Sequence, residues 1–272
     1  MAEFEEAGLK IDKDRVLTYS QLSCPLDCTY CFVDEMDTNQ KKKVAYLSDK
    51  QFGLLKELPE EVKLIMLGCD TEFFQQREAS LKTLEHLAEL GKDISVITKL
   101  YLSKEFIAKV AKIDKQMSLS GKRIAFSISV PCGSSFRRWE PKAPSPEKRI
   151  ESLRYAHEEG LLTMVAIRPL IPTVSNEELK DIIDKTIDIS QGYYSGPLYL
   201  KNPDKGLLTK EELSTLKAEK MQPHWMLDGN IYYRLERPGQ MDYLKSLLDD
   251  KSKPMFEGAA EGIDELKKKS HP

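Results

Sequence analysis

Short apolar runs alternate with longer amphipathic segments along the first 200 residues, and this alternation restricts the fold more than any other feature of the chain. The runs predict six strands: Val16–Tyr19, Lys63–Leu67, Ile94–Thr98, Arg123–Val130, Thr163–Ile167 and Pro197–Leu200. The segments between them carry apolar residues three and four positions apart and predict five helices: Ser48–Leu58, Glu78–Leu90, Lys104–Ala111, Pro146–Glu159 and Asn176–Ile189. Because each helix must return the chain through a right-handed crossover, we expect a parallel sheet.

Periodicity alone allows two α/β architectures, a partial barrel and a doubly wound sheet. In both of them the reactive groups belong to loops at the carboxyl ends of the strands. Residues that carry chemistry are therefore expected in those loops.

The pattern changes after residue 201. A helix, a β-hairpin, a second helix and a frayed, solvated tail are predicted there, over Leu207–Lys220, Trp225–Tyr233, Met241–Leu248 and Lys267–Lys269. The hairpin prediction depends on Asp228-Gly229, a strong two-residue turn signal. We expect a catalytic core over residues 1–202 and an extension over residues 203–272 that covers or borders an opening in the core.

Composition excludes several classes of protein. With 41 basic and 44 acidic residues the formal charge is −3, so no global field attracts nucleic acid. No apolar run approaches the roughly 20 residues that span a bilayer, and the acidic start lacks the features of a signal peptide. These properties predict a cytoplasmic protein without a membrane span. Lys41–Lys43 is interpreted as a solvated turn.

Three of the five cysteines lie within eight residues, directly after the first predicted strand. Cys24, Cys28 and Cys31 form a Cys-x3-Cys-x2-Cys pattern, which favours metal or redox chemistry over disulfides. Three thiolates can bind three irons of a cubane cluster and leave the fourth iron open, whereas most structural zinc and iron–sulfur sites use four protein ligands. The alternative is a zinc knuckle, or a structural or electron-transfer cluster, whose fourth ligand is Cys69 or Cys132.

With Tyr30 immediately before the third cysteine, this pattern resembles the hallmark of the radical S-adenosylmethionine (SAM) enzymes, and the resemblance covers about residues 15–202. It implies a partial (β/α)6 TIM-type barrel with parallel strands, a [4Fe-4S] cluster, and SAM bound at the open iron. It also implies reductive cleavage of SAM to a 5′-deoxyadenosyl radical, which removes hydrogen from an organic substrate. The electron would come from a flavodoxin or ferredoxin.

Several short segments, in order, resemble the spore photoproduct lyase-like subfamily: Gly68–Glu72, Ile97–Lys99, Ser127–Ser129, Arg138–Arg149 and Pro169–Pro172. The resemblance implies that the residues approaching SAM are Tyr30, Gly68, Asp70, Thr71, Lys99, Ser127 and Ser129, with Glu72 a further acceptor for its ammonium group. Lys99 suits the SAM carboxylate. For each position the alternative is a solvated strand-end residue or an internally bonded strand residue. Arg168 interrupts an apolar strand, and a buried arginine needs an anion, either the SAM carboxylate or a neighbouring acid.

The other two cysteines, Cys69 and Cys132, each follow a predicted strand and so belong to the face that carries the three-cysteine loop. A thiol can donate a hydrogen atom to a carbon radical. By resemblance to the lyase, Cys69 is the donor that quenches the product radical. The alternative for either cysteine is a small buried apolar residue.

The substrate has two interpretations. A nucleoside or nucleic-acid lesion follows from the lyase-like segments, the hairpin with its aromatic residues, and a basic stretch comprising Arg137, Arg138, Lys142, Lys148 and Arg149. A small molecule or peptide, rearranged or epimerised, follows from the modest charge and the short chain. Phe32, where the lyase has a tyrosine, separates this chain from the lyase itself.

Overall fold

A computed structural model describes residues 2–20, 22–35, 45–203, 206–226 and 229–270. The predicted turn Lys41–Lys43 lies outside the described residues, as do Leu227 and Asp228 of the predicted hairpin. Among the helices in these ranges, none has the length and apolar character needed to cross a bilayer.

Strands and helices alternate through the described ranges. The strands are β1 Leu9–Asp12, β2 Arg15–Thr18, β3 Leu64–Leu67, β4 Asp93–Thr98, β5 Ile124–Ser129, β6 Leu162–Leu170, β7 Gly192–Leu200, β8 Lys217–Met221, β9 Tyr232–Glu236 and β10 Met255–Phe256. The helices are α1 Ala2–Glu6, α2 Asp49–Lys56, α3 Arg77–Ala88, α4 Lys104–Ser118, α5 Phe136–Trp139, α6 Pro146–Glu158, α7 Asn176–Thr186, α8 Lys210–Ser214, α9 Gln240–Asp249 and α10 Ala259–Ser270. All six predicted strands and five predicted helices are present. The largest differences are that α4 continues to Ser118 and that β7 begins at Gly192.

The strands form one open sheet in the order β1-β2-β3-β4-β5-β6-β7-β9-β8, with β10 paired to β7. Strands β2 to β7 are parallel and follow one another in chain order. A doubly wound sheet reverses its strand order at a switch point, and the run from β2 to β7 has no reversal. The fold is therefore α/β with a partial barrel, as predicted, and the barrel is not closed.

The two faces of the sheet pack differently because alternate side chains of a strand point to opposite sides. Side chains such as Ile94 and Phe126 pack outward in the main hydrophobic core. The inner face is lined near the amino ends of the strands by residues such as Ala125 and Met164, which pack against Ile263 of α10. Helix α10 fills the base of the barrel, and the inner face near the carboxyl ends carries polar residues.

The region after residue 201 differs from two predictions. A hairpin is present, but its strands are β8 and β9, with Met221 opposite Tyr232, so residues 222–231 replace the expected two-residue turn. The predicted helix Leu207–Lys220 is wrong beyond Ser214, because Lys217–Met221 pairs as an edge strand. Pairing of β9 with β7 provides a template for β8 that overrides local helix propensity. The charged side chains of β8 are exposed, which protects the sheet edge from further pairing.

The predicted frayed tail is also wrong. Lys267–Lys269 belongs to α10, which follows the helix predicted to be last, and Lys267 Nζ lies 2.7 Å from Oδ2 of the buried Asp93. This ion pair fixes the end of α10 to the first residue of β4.

The segment between β8 and β9 contacts the opposite edge of the sheet. The Tyr19 hydroxyl donates to the carbonyl oxygen of Trp225 at 2.8 Å, and His224 Nε2 lies 3.8 Å from Asp12 Oδ1. The Phe32 and Trp225 rings meet edge to face, with centroids 5.5 Å apart. The segment between β8 and β9 thus contacts β1 and the residues after β2, at the other edge of the open sheet.

Candidate active site

The three-cysteine loop lies at the carboxyl end of β2, where the strand–helix alternation predicts it. Cys24 is exposed, while Cys28 and Cys31 are half-buried. The Cys31 backbone N–H donates to the Cys28 carbonyl at 3.0 Å, which holds the last two cysteines in one turn. In the described part of the chain, no three Cys, His, Asp or Glu side chains converge on a single ion. Thiolates that bind different irons of one cluster need not converge, so this donor set fits an iron–sulfur cluster.

A buried polar network holds the cysteine loop from below. The Tyr30 hydroxyl donates to Glu140, and Glu140 pairs with Arg149, whose Nη1 lies 2.5 Å from Oε2. Glu140 and Arg149 are both fully buried. Thr29 adds a backbone hydrogen bond to the Trp139 carbonyl at 2.9 Å. Sequence analysis missed the role of Glu140, although the residue belongs to a segment that resembles the lyases.

The segment after β3 needs a glycine at its first position. Gly68 has φ +83°, and a Cβ there would lie 2.6 Å from the Ile97 carbonyl oxygen, so a side chain is excluded on both counts. The Gly68 N–H donates to the Tyr46 hydroxyl at 2.7 Å. This leaves the backbone close to the inner face of the neighbouring strand β4.

The three polar residues that follow Gly68 have different environments. Asp70 Oδ1 accepts from the Ser20 N–H at 3.0 Å, and burial raises the pKa of this carboxyl to about 7. Thr71 Oγ1 accepts from Gln75 Nε2 at 3.1 Å. Glu72 accepts from Thr98 Oγ1 at 2.6 Å and from the Lys99 N–H at 2.8 Å. Glu72 therefore organises the end of β4, and Asp70 keeps more acceptor capacity for a ligand.

Lys99 extends from the end of β4 beside the cysteine loop. Its Nζ makes no hydrogen bond or ion pair with any residue of the described ranges and lies 5.9 Å from the centre of the Tyr30 ring. Burial alone would lower the pKa of Lys99, but the nearby Cys28, Glu140 and Glu72 raise it above its usual value. Within the described ranges, the side chain is therefore a half-buried cation without an ion-pair partner.

Ser127 and Ser129 lie next to Lys99 in the sheet, on β5. Both hydroxyls are buried. Ser129 has no hydrogen-bond partner in the described structure, whereas Ser127 has the Tyr194 hydroxyl within reach. Buried polar groups are nearly always hydrogen-bonded in native proteins. A buried Ser129 hydroxyl without a partner, beside a cation that is unpaired within the described ranges, indicates a polar ligand, and SAM fits this set.

Arg168 lies near the carboxyl end of β6 and is half-buried. Its guanidinium forms no ion pair with an acid in the described ranges, so the predicted neighbouring-acid partner is absent there. The guanidinium carbon lies 6.0 Å from the centre of the Trp225 ring. The Tyr199 ring meets the same indole edge to face at 5.7 Å.

The two remaining cysteines, Cys69 and Cys132, have different environments. Cys69 packs on the small cluster formed by Leu17, Tyr19 and Val33, which Cys31 and Trp225 also contact. Cys69 Sγ donates to the Met66 carbonyl at 3.6 Å, and burial raises the pKa of the thiol to about 12. Cys132, by contrast, is fully buried, and its Sγ donates to Glu140 Oε2 at 3.8 Å. Of the two, Cys69 is the one that packs on the same cluster as Cys31 and Trp225, whereas Cys132 belongs to the main core.

Comparison with known proteins agrees with this geometry. A family model described as the radical SAM superfamily matches residues 19–186. No curated protein sequence matches the chain. A solved structure of spore photoproduct lyase with dinucleoside spore photoproduct is similar at 13% identity and a TM-score of 0.67, over 91% of this chain and 78% of the lyase.

Two further solved structures share the fold. Streptococcus suis SuiB bound to its precursor peptide SuiA has 14% identity and a TM-score of 0.61, over 97% of this chain and 54% of SuiB. The radical SAM methyltransferase TsrM from Kitasatospora setae has 15% identity and a TM-score of 0.57, over 89% of this chain and 53% of TsrM. At these identities the similarity concerns the fold.

Proposed function

The chain belongs to the radical SAM superfamily, and we propose that this enzyme removes a hydrogen atom from a carbon of a nucleoside or nucleic-acid lesion. Members of the superfamily are enzymes that use a [4Fe-4S] cluster, SAM and a reductant. When bound, the cluster and SAM supply a 5′-deoxyadenosyl radical that abstracts the hydrogen atom. The observation that carries the proposal is the Lys99 cation, unpaired within the described ranges, beside the buried Ser129 hydroxyl that lacks a partner there, next to the cysteine loop.

Each polar group of this site has an assignment. Cys24, Cys28 and Cys31 would hold three irons of the cluster. Lys99 would bind the SAM carboxylate, because its half-buried ammonium group forms no ion pair with any residue of the described ranges. Ser127 and Ser129 would hydrogen-bond to the remaining polar groups of SAM.

Asp70 would accept the SAM ammonium group. A carboxyl with a pKa of about 7 is largely ionised above neutrality, and an adjacent ammonium group would lower that pKa and favour the charged form. Gly68 would allow the close approach of the cofactor to the backbone. Tyr30 and Thr71, whose polar atoms already bond to Glu140 and Gln75, would contact the cofactor by packing.

The preference for a nucleoside comes from the aromatic residues at the opening. Phe32 and Tyr199 both pack edge to face on Trp225 at the carboxyl end of the sheet, and aromatic side chains are the usual platforms for nucleobases. Since Trp225 is supplied by the region after residue 202, we propose that this region selects the substrate.

Cys69 is proposed as the hydrogen donor to the product radical. A thiol with a pKa of about 12 keeps its proton at neutral pH, so the S–H bond is available. The carbon radical takes the hydrogen atom, and the resulting thiyl radical takes one electron from the reductant and one proton from water. A flavodoxin or ferredoxin is the proposed electron donor.

The test begins with anaerobic reconstitution and measurement of iron and sulfide. The loaded protein is expected to release 5′-deoxyadenosine from SAM under reduction, and ultraviolet-irradiated oligonucleotides are expected to increase the rate. Lys99→Met should raise the Kd of SAM at least tenfold, whereas Lys104→Met, an exposed lysine on α4, should not. No 5′-deoxyadenosine would contradict the enzyme class; equal rates with irradiated DNA, undamaged DNA and no DNA would contradict the substrate class.

The donor assignment has its own test once turnover is observed. In D2O, the product is expected to acquire deuterium in the wild type, and Cys69→Ala should abolish this transfer and change the product distribution. Cys132→Ala is the matched control, because that thiol is fully buried and donates to Glu140. Unchanged deuterium transfer in Cys69→Ala would exclude Cys69 as the donor.

A further inference from the structure

We infer that Arg168 binds a negatively charged oxygen group of the substrate, a phosphate or a carboxylate, while Trp225 packs against the planar or apolar part that carries this group. The inference rests on the proposed function, because it assigns the substrate side of the same site. It names the chemistry that a substrate must present at the opening of the barrel.

The positive charge of Arg168 is not balanced by an acid of the described ranges. The guanidinium is half-buried at the carboxyl end of β6, and no acid of the described ranges pairs with it. Contact with the Trp225 ring at 6.0 Å compensates only part of the lost hydration of the cation. Other partly buried arginines of the chain do pair, as Arg123 does with Asp114 at 2.9 Å. A half-buried arginine without an acidic partner is suited to bind an anion from outside the chain.

The glycine at position 196 leaves space for the Arg168 side chain. Gly196 lies beside Arg168 on β7, and a Cβ at that position would lie 3.1 Å from Arg168 Nε. Gly196 does not have a positive φ, so the backbone does not require a glycine there. The missing side chain instead gives the guanidinium room to lie over β7 and face the opening.

Arg168 lies apart from the residues proposed to bind the cofactor. Lys99 on β4 and Arg168 on β6 are two strands apart, about 10 Å along the sheet. Lys99 has the cysteine loop and Glu140 near it, whereas Arg168 has Trp225, Tyr199 and Cys69. SAM has one carboxylate and one cation suffices for it. The second cation therefore needs a second anion, and the substrate is its source.

The chemistry of the two side chains defines the ligand. A guanidinium offers a planar pair of donors that matches a carboxylate or a phosphate, and an indole face accepts a planar or apolar group. A substrate anchored by both would place its carbon atoms next to Cys69, which shares a hydrophobic cluster with Trp225.

The test measures binding of small probes to the cluster-loaded, SAM-bound full chain by anaerobic equilibrium dialysis. Thymidine 5′-phosphate is compared with thymidine, and indole-3-acetate with indole-3-ethanol, so that each anion has a neutral counterpart. At least one anion is expected to bind ten or more times as tightly as its counterpart. Arg168→Gln should remove this preference, and Arg168→Lys should retain only part of it. Arg154→Gln, an exposed arginine on α6, is the matched control and should keep the full preference.

Two further measurements complete the design. Trp225→Leu should weaken each anion and its neutral counterpart by the same factor, because it removes the packing surface and leaves the charge. The Kd of SAM is measured for Arg168→Gln and Lys99→Met in parallel, and thermal melting confirms that the variants are folded.

The outcomes separate this inference from the proposed function. Equal binding of anions and neutral counterparts would overturn the inference, as would a loss of SAM affinity in Arg168→Gln as large as that in Lys99→Met. A preference confined to indole-3-acetate would support the anion site and contradict a nucleic-acid substrate. Preferential binding of an anion by a protein that releases no 5′-deoxyadenosine would support the anion site and contradict the proposed enzyme activity.

Discussion

At the scale of single residues, Glu140 connects three separate parts of the chain. It accepts from Tyr30 in the cysteine loop, pairs with Arg149 on α6, and accepts from Cys132 after β5. Since both members of the ion pair are fully buried, their charges depend on each other. This network holds the cysteine loop in place through Tyr30. Loss of both charges, those of Glu140 and Arg149, should destabilise the protein less than loss of one, because a single buried charge would be left without its partner.

This coupling predicts a non-additive mutant cycle. Glu140→Leu should lower the free energy of unfolding by about 3–5 kcal/mol, because Arg149 is left as an uncompensated buried charge. Arg149→Met should have a similar cost, and the double variant should cost less than the sum of the two. Urea unfolding measures all three. Glu158→Leu, which breaks the exposed pair with Lys104, is the control and should leave the free energy of unfolding nearly unchanged. Additive losses would show that Glu140 and Arg149 do not depend on each other.

Asp70 predicts a pH dependence of stability. The carboxyl has a pKa of about 7 in the folded chain against 3.8 for an unperturbed aspartate, so between these values the folded state holds a proton that the unfolded state has lost. Its contribution to stability is therefore complete below pH 4 and disappears as pH rises through 7.

Asp70→Asn, which keeps an acceptor for the Ser20 N–H, should remove this dependence. Relative to the wild type, the variant should gain about 2 kcal/mol between pH 4 and pH 8. This is less than the full pKa shift implies, because the half-buried carboxyl is partly screened by water. Urea unfolding at a series of pH values measures the difference; parallel curves for the two proteins would contradict the raised pKa.

At the scale of elements, helix α10 must fit closely into the base of the barrel. A Cβ on Gly262 would lie 2.4 Å from Met164 Sδ, whereas Gly53, on the exposed face of α2, has open space around it. Alanine raises helix propensity equally at both positions, so the difference between the two variants reports packing. Gly262→Ala should destabilise the protein by about 1–2 kcal/mol, and Gly53→Ala should stabilise it by about 0.5–1 kcal/mol. Equal stabilisation in both would mean that α10 is loosely packed.

The sequence predicted the elements that local signals determine. The strands and helices of the barrel follow from hydrophobic period and caps, and Ser103 and Ser175 cap α4 and α7 through their hydroxyls. Strand β8 was missed because Lys217–Met221 contains good helix formers, and only pairing with β9 makes it a strand. The position of α10 was missed for a related reason, since the partner of Lys267 is Asp93, far away in the sequence.

The candidate site likewise contains one part that local sequence predicts and other parts that form only on folding. The cysteine loop is contiguous, so its spacing alone located it. The Tyr30–Glu140 hydrogen bond joins residues 110 positions apart, and no local pattern predicts such a contact. That Ser129 lacks a partner in the described structure while Glu72 accepts two hydrogen bonds is equally a property of the folded sheet and not of any segment.

At the scale of the whole molecule, the last quarter of the chain covers surfaces of the sheet that the first part would otherwise leave exposed. Strand β9 covers the edge of β7, and α10 covers the inner face at the base. Trp225 contacts Tyr19 and Phe32 on the opposite edge of the sheet. Unfolding the last quarter alone would expose Met164 and Tyr194 on the inner face, together with the free edge of β7, so the two parts should unfold together.

The two tryptophans allow this to be measured. Trp139 is buried beneath the cysteine loop, and Trp225 belongs to the segment after β8, so each one reports a different part of the molecule. In urea, the fluorescence of Trp225 in the Trp139→Phe variant is expected to change over the same transition as the far-ultraviolet circular dichroism of that variant. The Trp139 signal in the Trp225→Phe variant should likewise coincide with its own circular dichroism. If Trp225 changed at lower urea than the circular dichroism, the last quarter would open independently of the barrel, and contacts across the open side would be too weak to fix the substrate site before a substrate binds.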